Sequence, residues 1–526
     1  MTDVADLEYV LSTASIGAGT DLGVDVRVSL CHLTADDLTS LRHHAELGGA
    51  VLVFAEPGDT NAAELCGVEV ADVLPRTEWF VTLANRPEAV RLDDEVPITS
   101  GLRTLEVRSD DVAVAATTSV QFHHHPTMTL RRVGKGVVLT VGVSDPVALV
   151  EHATLSQYVR RLLRPDFAVP STTLGVAVVG YGPFGGMGYL HGLATTETSG
   201  LALVAAADSV SARLDAARND FPDLRPHDSA ESLAADPGVD VAIIATPPVL
   251  HAEIAVQLLR AGKHVVVEKP MCLTVADANM LIETARKVDR TVTVHQSRRW
   301  DTDWLAIRRL VGRGDLGEVF NIETFVGGFE HPCRAWHSEE SVSGGAVYDW
   351  GSHHIDWIIQ AYGSAPARVL CSTHTRVWHD TTNVDQLSVW MQWADGREAT
   401  FRQSDICAIR RPKFHIEGTA GTLEGHYEPV RQDDVVPGRG FRAAVSHHAE
   451  RPVDLTVARY DGDHGLVQSR VAPAPNPGWG FHRNLANHLL LGEELAVKPE
   501  QSREVVSVLE AAHRSGGEGG ALIELP

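Results

Sequence analysis

The segment from Leu174 to Gly188, LGVAVVGYGPFGGMG, constrains the fold of this 526-residue chain more than any other stretch. An apolar run rich in β-branched residues ends at Gly180, and further glycines follow at positions 182 and 185. This pattern is typical of a buried strand, a tight turn and a helix start, because glycine lets the backbone approach a pyrophosphate closely. The free amides at the start of such a helix, with its positive dipole end, then face the phosphates. The segment therefore predicts a dinucleotide-binding turn.

Residues 174–298 alternate between apolar runs and amphipathic segments. The predicted strands are Leu174–Val179, Leu201–Ala207, Val239–Ala245, His264–Val267 and Val292–His295, with helices near 186–196, 210–221, 248–261 and 274–288. Alternation at this spacing builds right-handed βαβ units and a parallel sheet with helices on both faces. The predicted fold class is therefore α/β, with a doubly wound parallel sheet.

The patterns on either side of this region differ from it, and a chain of this length favours roughly three domains. Residues 1–165 read as a separate α/β domain of flavodoxin or amidotransferase type, with strands Val24–Leu30, Ala50–Phe54 and Gly136–Val143 and helices Thr34–Leu47 and Pro146–Leu163. Residues 164–173 read as a linker. Residues 299–526 read as an α+β domain with a large open mixed or antiparallel sheet, with strands Val319–Phe325, Ala367–Thr375, Gln386–Trp393 and Phe414–Glu417 and helices Trp304–Gly312, Asp349–Tyr362 and 500–514.

Composition excludes several classes of partner. The chain has 69 acidic and 45 basic residues, a formal net charge of −24. Nucleic acids and anionic membranes select basic surfaces, so neither is an expected partner. The six cysteines form no CxxC pair, which favours reduced thiols over disulfides or a zinc ribbon. The first basic residue is Arg27 and no apolar run approaches the roughly 18 residues of a membrane span, so we expect a cytoplasmic protein.

Asp208 closes the second predicted strand, 23 residues after Gly185. A carboxylate there can accept hydrogen bonds from both ribose hydroxyls of an adenosine, and its charge repels a 2′-phosphate. The position favours NAD as the cofactor, while Ser209 and Arg213 leave NADP open. The alternative is an aspartate that only caps the following helix.

The segment 245–270, ATPPVLHAEIAVQLLRAGKHVVVEKP, joins a strand end, a proline turn, a helix and a strand that ends in Glu268-Lys269-Pro270. Over residues 174–526 the chain resembles the Gfo/Idh/MocA oxidoreductases, named for glucose-fructose oxidoreductase and inositol dehydrogenase. The resemblance implies a Rossmann domain followed by a domain whose open sheet mediates oligomer contacts, so a homodimer or homotetramer is expected. It places Lys269 between nicotinamide and substrate, where an ammonium can polarise a carbonyl or stabilise an alkoxide. The cofactor-binding residues it implies are Gly180, Gly182, Pro183, Phe184, Gly185, Asp208, Ser209, Thr246, Pro247, His251, Glu268, Lys269 and Pro270.

One departure from the family pattern concerns the glycine-rich turn. Many members place a histidine three residues after the third glycine. Here Gly188 occupies that position and His191 follows three residues later. The departure leaves open which amides meet the phosphates.

A second motif, SGGAVYDWGSHHIDW at 343–357, resembles the family's GG…DxGxH…D signature. The matching residues are Gly344, Gly345, Asp349, Gly351, His353 and Asp356. Residues four apart share one helix face, so Asp349 and His353 are expected on the same side. The resemblance implies that His353 is the general acid/base and that Asp349 orients it or holds substrate; histidine suits this role because its pKa lies near working pH. His354 points away and is expected to pack structurally.

Residues flanking these motifs are candidates for the substrate pocket. Arg298 and Arg299 follow the last parallel strand, and Trp336 precedes the paired glycines, where an indole could stack on a sugar ring. Ordinary packing or a surface ion pair is the alternative for each. His331, His337 and Cys333 fit no zinc spacing, so no metal site is expected.

The segment 123–146, HHHPTMTLRRVGKGVVLTVGVSDP, resembles the end of trehalose-utilisation (ThuA-like) domains, which belong to the class I glutamine-amidotransferase-like fold. Cys31 lacks the flanking glycines of an amidotransferase nucleophile. Residues 1–165 are therefore expected to form an accessory domain without amidotransferase activity.

The predicted function is NAD(P)-dependent, reversible hydride transfer between nicotinamide and a secondary hydroxyl of a sugar, inositol or related polyol, with Lys269, Asp349 and His353 as catalytic residues. Two alternatives use the same scaffold. One is an NAD-dependent glycosidase that oxidises its substrate transiently. The other is a non-catalytic nucleotide or sugar sensor.

Overall fold

The structure, a computed structural model, divides the chain into two compact units. Unit 1 comprises residues 1–172 and 474–494, and unit 2 comprises residues 173–473 and 495–526. The residues that the structure describes are 26–29, 32–83, 95–120, 123–144, 148–151, 153–163, 173–182, 186–198, 200–332, 336–427, 429–430, 446–450, 454–471, 474, 479–491 and 494–525.

The secondary-structure elements are numbered here in chain order over those residues. The helices are α1 (Ala35–Glu46), α2 (Thr60–Cys66), α3 (Ala148–Glu151), α4 (Ala153–Leu163), α5 (Met187–Thr196), α6 (Ser211–Asp220), α7 (Ala230–Ala234), α8 (His251–Arg260), α9 (Val275–Lys287), α10 (Thr302–Gly312), α11 (Glu340–Ser343), α12 (Ala346–Asp349), α13 (Gly351–Tyr362), α14 (Gly480–Leu491) and α15 (Pro499–Gly517).

The strands of unit 1 are β1 (Val26–Ser29), β2 (Ala50–Phe54), β3 (Val68–Leu83), β4 (Glu95–Val107), β5 (Val112–Val120), β6 (His123–Val133) and β7 (Gly136–Val141). They form one sheet in the order β1-β2-β7-β6-β5-β3-β4. Strands β1, β2 and β7 run parallel to one another. Each of the remaining neighbouring pairs, from β7–β6 to β3–β4, is antiparallel. The turn at Gly134, whose φ is +59°, joins β6 to β7. The sheet is mixed, and the resemblance of this unit to ThuA-like domains stays a prediction.

Unit 2 contains a parallel sheet of six strands: β8 (Leu174–Val179), β9 (Leu201–Ala207), β10 (Arg225–His227), β11 (Val241–Ile244), β12 (His264–Val267) and β13 (Val292–Val294). Their order is β10-β9-β8-β11-β12-β13, and every neighbouring pair is parallel. This is the strand order of the Rossmann fold, in which ligands bind at the carboxyl ends of the strands where the order reverses. The α/β fold class predicted for this region is confirmed. The short polar strand β10 was not predicted.

A mixed nine-stranded sheet forms the rest of unit 2. Its strands are β14 (Val319–Gly327), β15 (Arg368–His374), β16 (Gln386–Gln392), β17 (Glu398–Ser404), β18 (Phe414–Gly418), β19 (Gly421–Gly425), β22 (Leu455–Asp461), β23 (Gly465–Val471) and β24 (Ile523–Glu524); β20 (Pro429–Val430) and β21 (Ser446–Glu450) pair separately. Helices α13 and α15 pack on this sheet. The core between them includes Trp357, Phe401 and Leu509, all almost fully buried.

The mixed sheet confirms the α+β architecture predicted for this region. The helix expected from Asp349 to Tyr362 is divided, because Asp349 ends α12 and α13 begins at Gly351. The boundaries 174–298 and 299–526 remain a prediction, and the second range includes residues 474–494, which cluster with unit 1. Among the helices described here, none combines the length and apolar content needed to cross a bilayer.

Candidate active site

The glycine-rich turn follows β8 at the carboxyl edge of the parallel sheet. Gly180 and Gly182 have φ angles of +84° and +76°, which side chains other than glycine rarely adopt. A Cβ on Gly180 would lie 2.9 Å from the backbone nitrogen of Thr246, whereas a Cβ on Gly182 would have no atom of a described residue within 4 Å. The turn therefore packs closely on the end of β11 and leaves room beside Gly182. Pro183, Phe184 and Gly185 lie outside the described residues.

Gly188, in the first turn of α5, packs against the backbone of the same loop. A Cβ there would lie 2.3 Å from the carbonyl oxygen of Tyr181. This close helix–strand approach is the role of the third glycine in a dinucleotide fingerprint. With Gly188 as the third glycine, His191 stands three residues later, the position of the family histidine. On this contact we assign the third-glycine role to Gly188, whereas the sequence predicted it for Gly185, which lies outside the described residues.

Asp208 follows β9 and is buried. Its carboxylate accepts hydrogen bonds from the amides of Gly182, at 3.2 Å, and Val210, at 2.9 Å. The guanidinium of Arg213 lies 3.4 Å from the same carboxylate, while Ser209 is exposed. The carboxylate is thus held beside the glycine turn, with a cation at its outer side.

Among the described residues, the buried polar atoms without a hydrogen-bond partner include Thr246 Oγ1 after β11, Gln296 Oε1 after β13 and His353 Nδ1 in α13. Buried polar groups are nearly always satisfied, so such atoms at a candidate site are available to a ligand. Together with the open glycine turn and the fixed Asp208 carboxylate, these atoms fit a dinucleotide laid along the edge of the sheet.

The side chain of Glu268, the residue that precedes Lys269, is buried. Its Oε1 lies 2.9 Å from His191 Nε2 and 2.7 Å from His295 Nδ1, and its Oε2 accepts the Lys269 amide at 3.0 Å. Burial alone would raise the pKa of Glu268, but the two imidazoles outweigh it and hold the pKa well below its ordinary value. Glu268 therefore anchors the backbone of Lys269, which differs from the direct cofactor contact expected from sequence.

His251, at the start of α8, is also internal. Its Nδ1 lies 2.9 Å from the carbonyl oxygen of Pro270, and its Nε2 lies 2.7 Å from that of Thr246. The ring thus links the turn after β11 to the cis Lys269–Pro270 peptide. Pro247 precedes the 3₁₀ turn Pro248–Leu250 and shapes the same corner. We assign His251 and Pro270 a structural role in the site, because both ring nitrogens of His251 already lie within hydrogen-bond distance of main-chain oxygens.

Lys269 and Asp349 form an ion pair across the site. The Lys269 ammonium donates to Asp349 Oδ1 at 2.6 Å and to the Asp349 carbonyl at 3.2 Å. The lysine side chain is 22% exposed and the aspartate side chain 35%, so both reach solvent-accessible space. The two motifs that the sequence analysis joined by resemblance therefore meet in the structure.

His353 lies in the first turn of α13, four residues after Asp349, and is 6% exposed. Burial lowers its pKa well below the ordinary value, and the charges of Lys269 and Arg298 lower it further. The imidazole is therefore neutral at pH 7 and able to accept a proton. His354 stacks on Phe401 with ring centroids 4.8 Å apart, the packing role expected from sequence.

The two arginines after β13 have different environments. The Arg298 guanidinium lies 4.7 Å from the Trp350 ring centroid and 3.1 Å from Asp301 Oδ2. Arg299 is 4% exposed and pairs with both carboxylate oxygens of Asp356, at 2.9 and 2.6 Å. Arg299 also donates to Gln501 and to the carbonyl of Ala496. We therefore assign Arg299 a structural role rather than the substrate contact predicted from sequence.

His337 is a site residue that sequence reasoning considered only for metal binding. Its ring stacks on Trp336 with centroids 3.6 Å apart, so one indole face predicted to receive a sugar is covered. Asn383 donates a hydrogen bond to the His337 carbonyl. Burial lowers the pKa of His337, Asp349 opposes this effect and Lys269 adds to it, which places the ring near the ion pair.

The chain is similar to known oxidoreductases. The profile of the oxidoreductase family with an NAD-binding Rossmann fold (Gfo/Idh/MocA) matches residues 174–296, and that of the Gfo/Idh/MocA C-terminal domain matches residues 304–424. An uncharacterized oxidoreductase of Schizosaccharomyces pombe is 36% identical over 326 residues, 57% of this chain and 85% of that protein. The scyllo-inositol 2-dehydrogenase (NADP(+)) of Bacillus subtilis is 25% identical over 355 residues, 66% of this chain and 94% of that protein.

A solved NAD-binding protein from Listeria innocua has a TM-score of 0.56 at 24% identity, covering 67% of this chain and 97% of that one, and shows the shared fold. The family match and the fold are those of an oxidoreductase. The chain belongs to the Gfo/Idh/MocA family, and its Rossmann domain binds NAD(P).

Proposed function

We propose that this protein transfers hydride reversibly between NAD(P) and a secondary hydroxyl of a sugar, inositol or related polyol. The observation that carries the proposal is the Lys269–Asp349 ion pair at 2.6 Å, with the neutral imidazole of His353 four residues beyond Asp349. An ammonium and a neutral base that interact electrostatically can supply the two functions that alcohol oxidation requires of the protein.

In the oxidation direction, His353 accepts the hydroxyl proton of the substrate. Lys269 stabilises the negative charge that develops on the same oxygen, and Asp349 holds the lysine in place. The bound nicotinamide supplies the hydride acceptor at the substrate carbon. After oxidation, His353 releases the proton to solvent and returns to its neutral form. In the reverse direction, protonated His353 gives its proton to the carbonyl oxygen and then takes another from solvent.

The substrate class is proposed from the relatives and from the site lining. One relative is a scyllo-inositol 2-dehydrogenase, whose substrate is a cyclic polyol. The half-buried, neutral His337 beside the Lys269–Asp349 pair can donate and accept hydrogen bonds, which suits a hydroxyl next to the reacting carbon. The charge of Arg298 also lowers the pKa of His353. The preference between NAD and NADP is proposed to follow Asp208, which favours NAD.

The experiment measures absorbance at the NADH band with a panel of inositols and aldoses, in the wild type and in His353→Ala. We expect one NADH per oxidised polyol in the wild type, and unchanged dinucleotide binding with turnover lost in the variant. Tight dinucleotide binding without turnover on any polyol would contradict the proposal and favour a sensor. Release of an aglycone from a glycoside without NADH accumulation would instead identify a glycosidase.

A further inference from the structure

A cavity of about 220 Å³ lies in unit 1, at the carboxyl ends of the parallel strands β2 and β7. Val53 of β2 pairs with Thr140 of β7, so their side chains lie next to each other on one face of the sheet. Helix α2 packs on this face and contributes Ala62 and Cys66 to the lining. Open α/β sheets bind ligands in crevices outside the carboxyl ends of their strands. The volume is below the roughly 300–1,000 Å³ of drug-sized sites, so the cavity suits a smaller molecule.

Thr140 contributes a buried hydroxyl to the lining of this cavity. It is 1% exposed, and its Oγ1 has no nitrogen or oxygen partner for a hydrogen bond among the described residues. Burial raises the pKa of the neighbouring Cys66 thiol to about 12, while the Thr140 hydroxyl opposes this shift and Asp59 adds to it. The thiol is therefore protonated at neutral pH, and sulfur is only a weak hydrogen-bond partner. A polar group of a ligand would satisfy the hydroxyl, as buried polar groups require.

The charged groups in the lining are all acidic: Glu56, Asp59 and Glu69. Two of them have a guanidinium partner, since Glu56 pairs with Arg103 at 2.8 Å and Glu69 with Arg108 at 3.2 Å. In the part of unit 1 that the structure describes, these carboxylates do not bring three ligand atoms together as a metal ion requires. The charge of the lining therefore favours an organic cation and disfavours an anion.

Asp59 has no comparable cation partner. Its side chain is 3% exposed, and its two oxygens accept the amides of Leu33 and Ala62, each at 2.8 Å. Over the described ranges, its one ion-pair contact is the largely exposed His32 ring, 3.8 Å away, which carries charge only when protonated. A buried charge is costly unless it is compensated, and an ionised carboxylate can accept more than two hydrogen bonds. The ammonium of a ligand would supply both the charge and the donors.

We propose that this cavity binds a small amino alcohol, with its ammonium against Asp59 and its hydroxyl against Thr140. An ammonium offers three donors and no acceptor, which matches a carboxylate. A ligand hydroxyl both donates and accepts, so it pairs with the Thr140 hydroxyl in either direction. The apolar part of the lining, which includes Val53 and Val68, accommodates the short methylene chain between the two polar groups.

The test is a ligand-observed NMR titration of the full chain with unbranched amino alcohols of three, four and five carbons, with butylamine and with 1,4-butanediol. We expect one of the amino alcohols to bind more tightly than butylamine, and 1,4-butanediol not to bind. Asp59→Asn should lower the affinity for that amino alcohol at least tenfold. The proposal is overturned if no amino alcohol binds to the wild type, or if 1,4-butanediol binds as tightly as the amino alcohols.

Thr140→Val and Thr129→Val are a matched pair of variants. Thr129 of β6 pairs with Thr140, is equally buried and also has an unpartnered hydroxyl, but it does not line the cavity. Thr140→Val should reduce the affinity for the amino alcohol to that for butylamine and leave butylamine binding unchanged. Thr129→Val should change neither affinity. Equal effects of the two valine variants would contradict a contact between Thr140 and the ligand.

A second charge variant serves if Asp59→Asn folds poorly, because Asp59 also caps α2. Glu69→Gln removes an acidic group from the exposed part of the lining, and Glu106→Gln removes one from the neighbouring strand β4, outside the cavity. We expect a severalfold loss of amino alcohol affinity in Glu69→Gln and no loss in Glu106→Gln. The same affinity in both variants would show that the carboxylates of the lining do not attract the ligand.

Discussion

The ammonium of Lys269 is held by two oxygens of one residue, the carboxylate and the main-chain carbonyl of Asp349, at 2.6 and 3.2 Å. Replacing Lys269 by Met keeps most of the side-chain volume and removes the charge. We expect kcat for polyol oxidation to fall at least about 100-fold, the usual loss of one charge-stabilising donor. Dinucleotide affinity, measured by fluorescence titration, should change little. Asp349→Asn, which keeps the carbonyl contact, should lose less; an equal loss in both variants would contradict a direct role for the ammonium.

The acid limb of the pH–rate profile depends on His353. Its ordinary pKa is about 6.5, and burial together with the charges of Lys269, Arg298 and His354 lowers it, while Glu268 opposes the shift. A base must be neutral to act, so activity in the oxidation direction should persist below pH 6.5. Arg298→Gln removes one cation and should move the limb to higher pH. A profile of kcat/KM against pH that is identical in both proteins would show that His353 is not the titrating base.

Arg299 contributes to stability through its buried pair with Asp356. Arg299→Ala leaves a buried carboxylate without its cation, a change that costs about 3–5 kcal/mol. Urea unfolding should therefore show a large decrease in the free energy of unfolding for Arg299→Ala and a small one for Arg298→Ala. Adding Asp356→Ala to Arg299→Ala should recover part of the loss, because the unpaired charge is removed. Equal effects of the two arginine variants would argue against the structural assignment of Arg299.

Gly188 tests the assignment of the glycine turn. Alanine there would place a methyl group 2.3 Å from the Tyr181 carbonyl oxygen, so the turn and α5 must separate. We expect Gly188→Ala to weaken NADH binding at least tenfold in a fluorescence titration. Gly462→Ala, at a position without a positive φ where a Cβ would have no described atom within 4 Å, controls for loss of glycine itself. Unchanged NADH affinity in Gly188→Ala would return the third-glycine role to Gly185.

Asp208 is expected to set the preference between the two nicotinamide cofactors. Its carboxylate repels a 2′-phosphate, whereas Arg213 beside it would attract one. Asp208→Ser should therefore shift the ratio of kcat/KM values toward NADP by tenfold or more, with Ser209→Ala as the neighbouring control. If the ratio does not move, the ribose is recognised elsewhere.

The parallel sheet of unit 2 was predictable because strands buried on both faces read as continuous apolar runs. Leu174–Val179, Leu201–Ala207 and His264–Val267 were predicted with the bounds that the structure shows. The long strands β3 and β4 were not predicted, because their antiparallel pairing is interrupted by register shifts that break a regular alternation. Pairings between distant segments are set by tertiary contacts that no local pattern contains.

Of the candidate site, sequence indicated the residues but not their partners. Lys269 and Asp349 are 80 positions apart and Arg299 and Asp356 are 57 apart, so only the folded chain distinguishes an active-site pair from a structural one. The role of Gly188 was missed because the motif was aligned from its first glycine. The position of His337 depends on a hydrogen bond that the Asn383 side chain donates to the His337 main-chain carbonyl. The two residues are 46 positions apart, so the contact cannot be read from the local sequence.

The division of the chain has a consequence for its synthesis. Unit 1 takes in residues 474–494, including α14, about 300 residues after its first segment ends. A ribosome thus releases the parallel sheet of unit 2, and every strand of its nine-stranded sheet except β24, before α14 emerges. Domains usually fold in order during translation, but here the amino-terminal unit must wait, incomplete, until nearly the end of the message has been read.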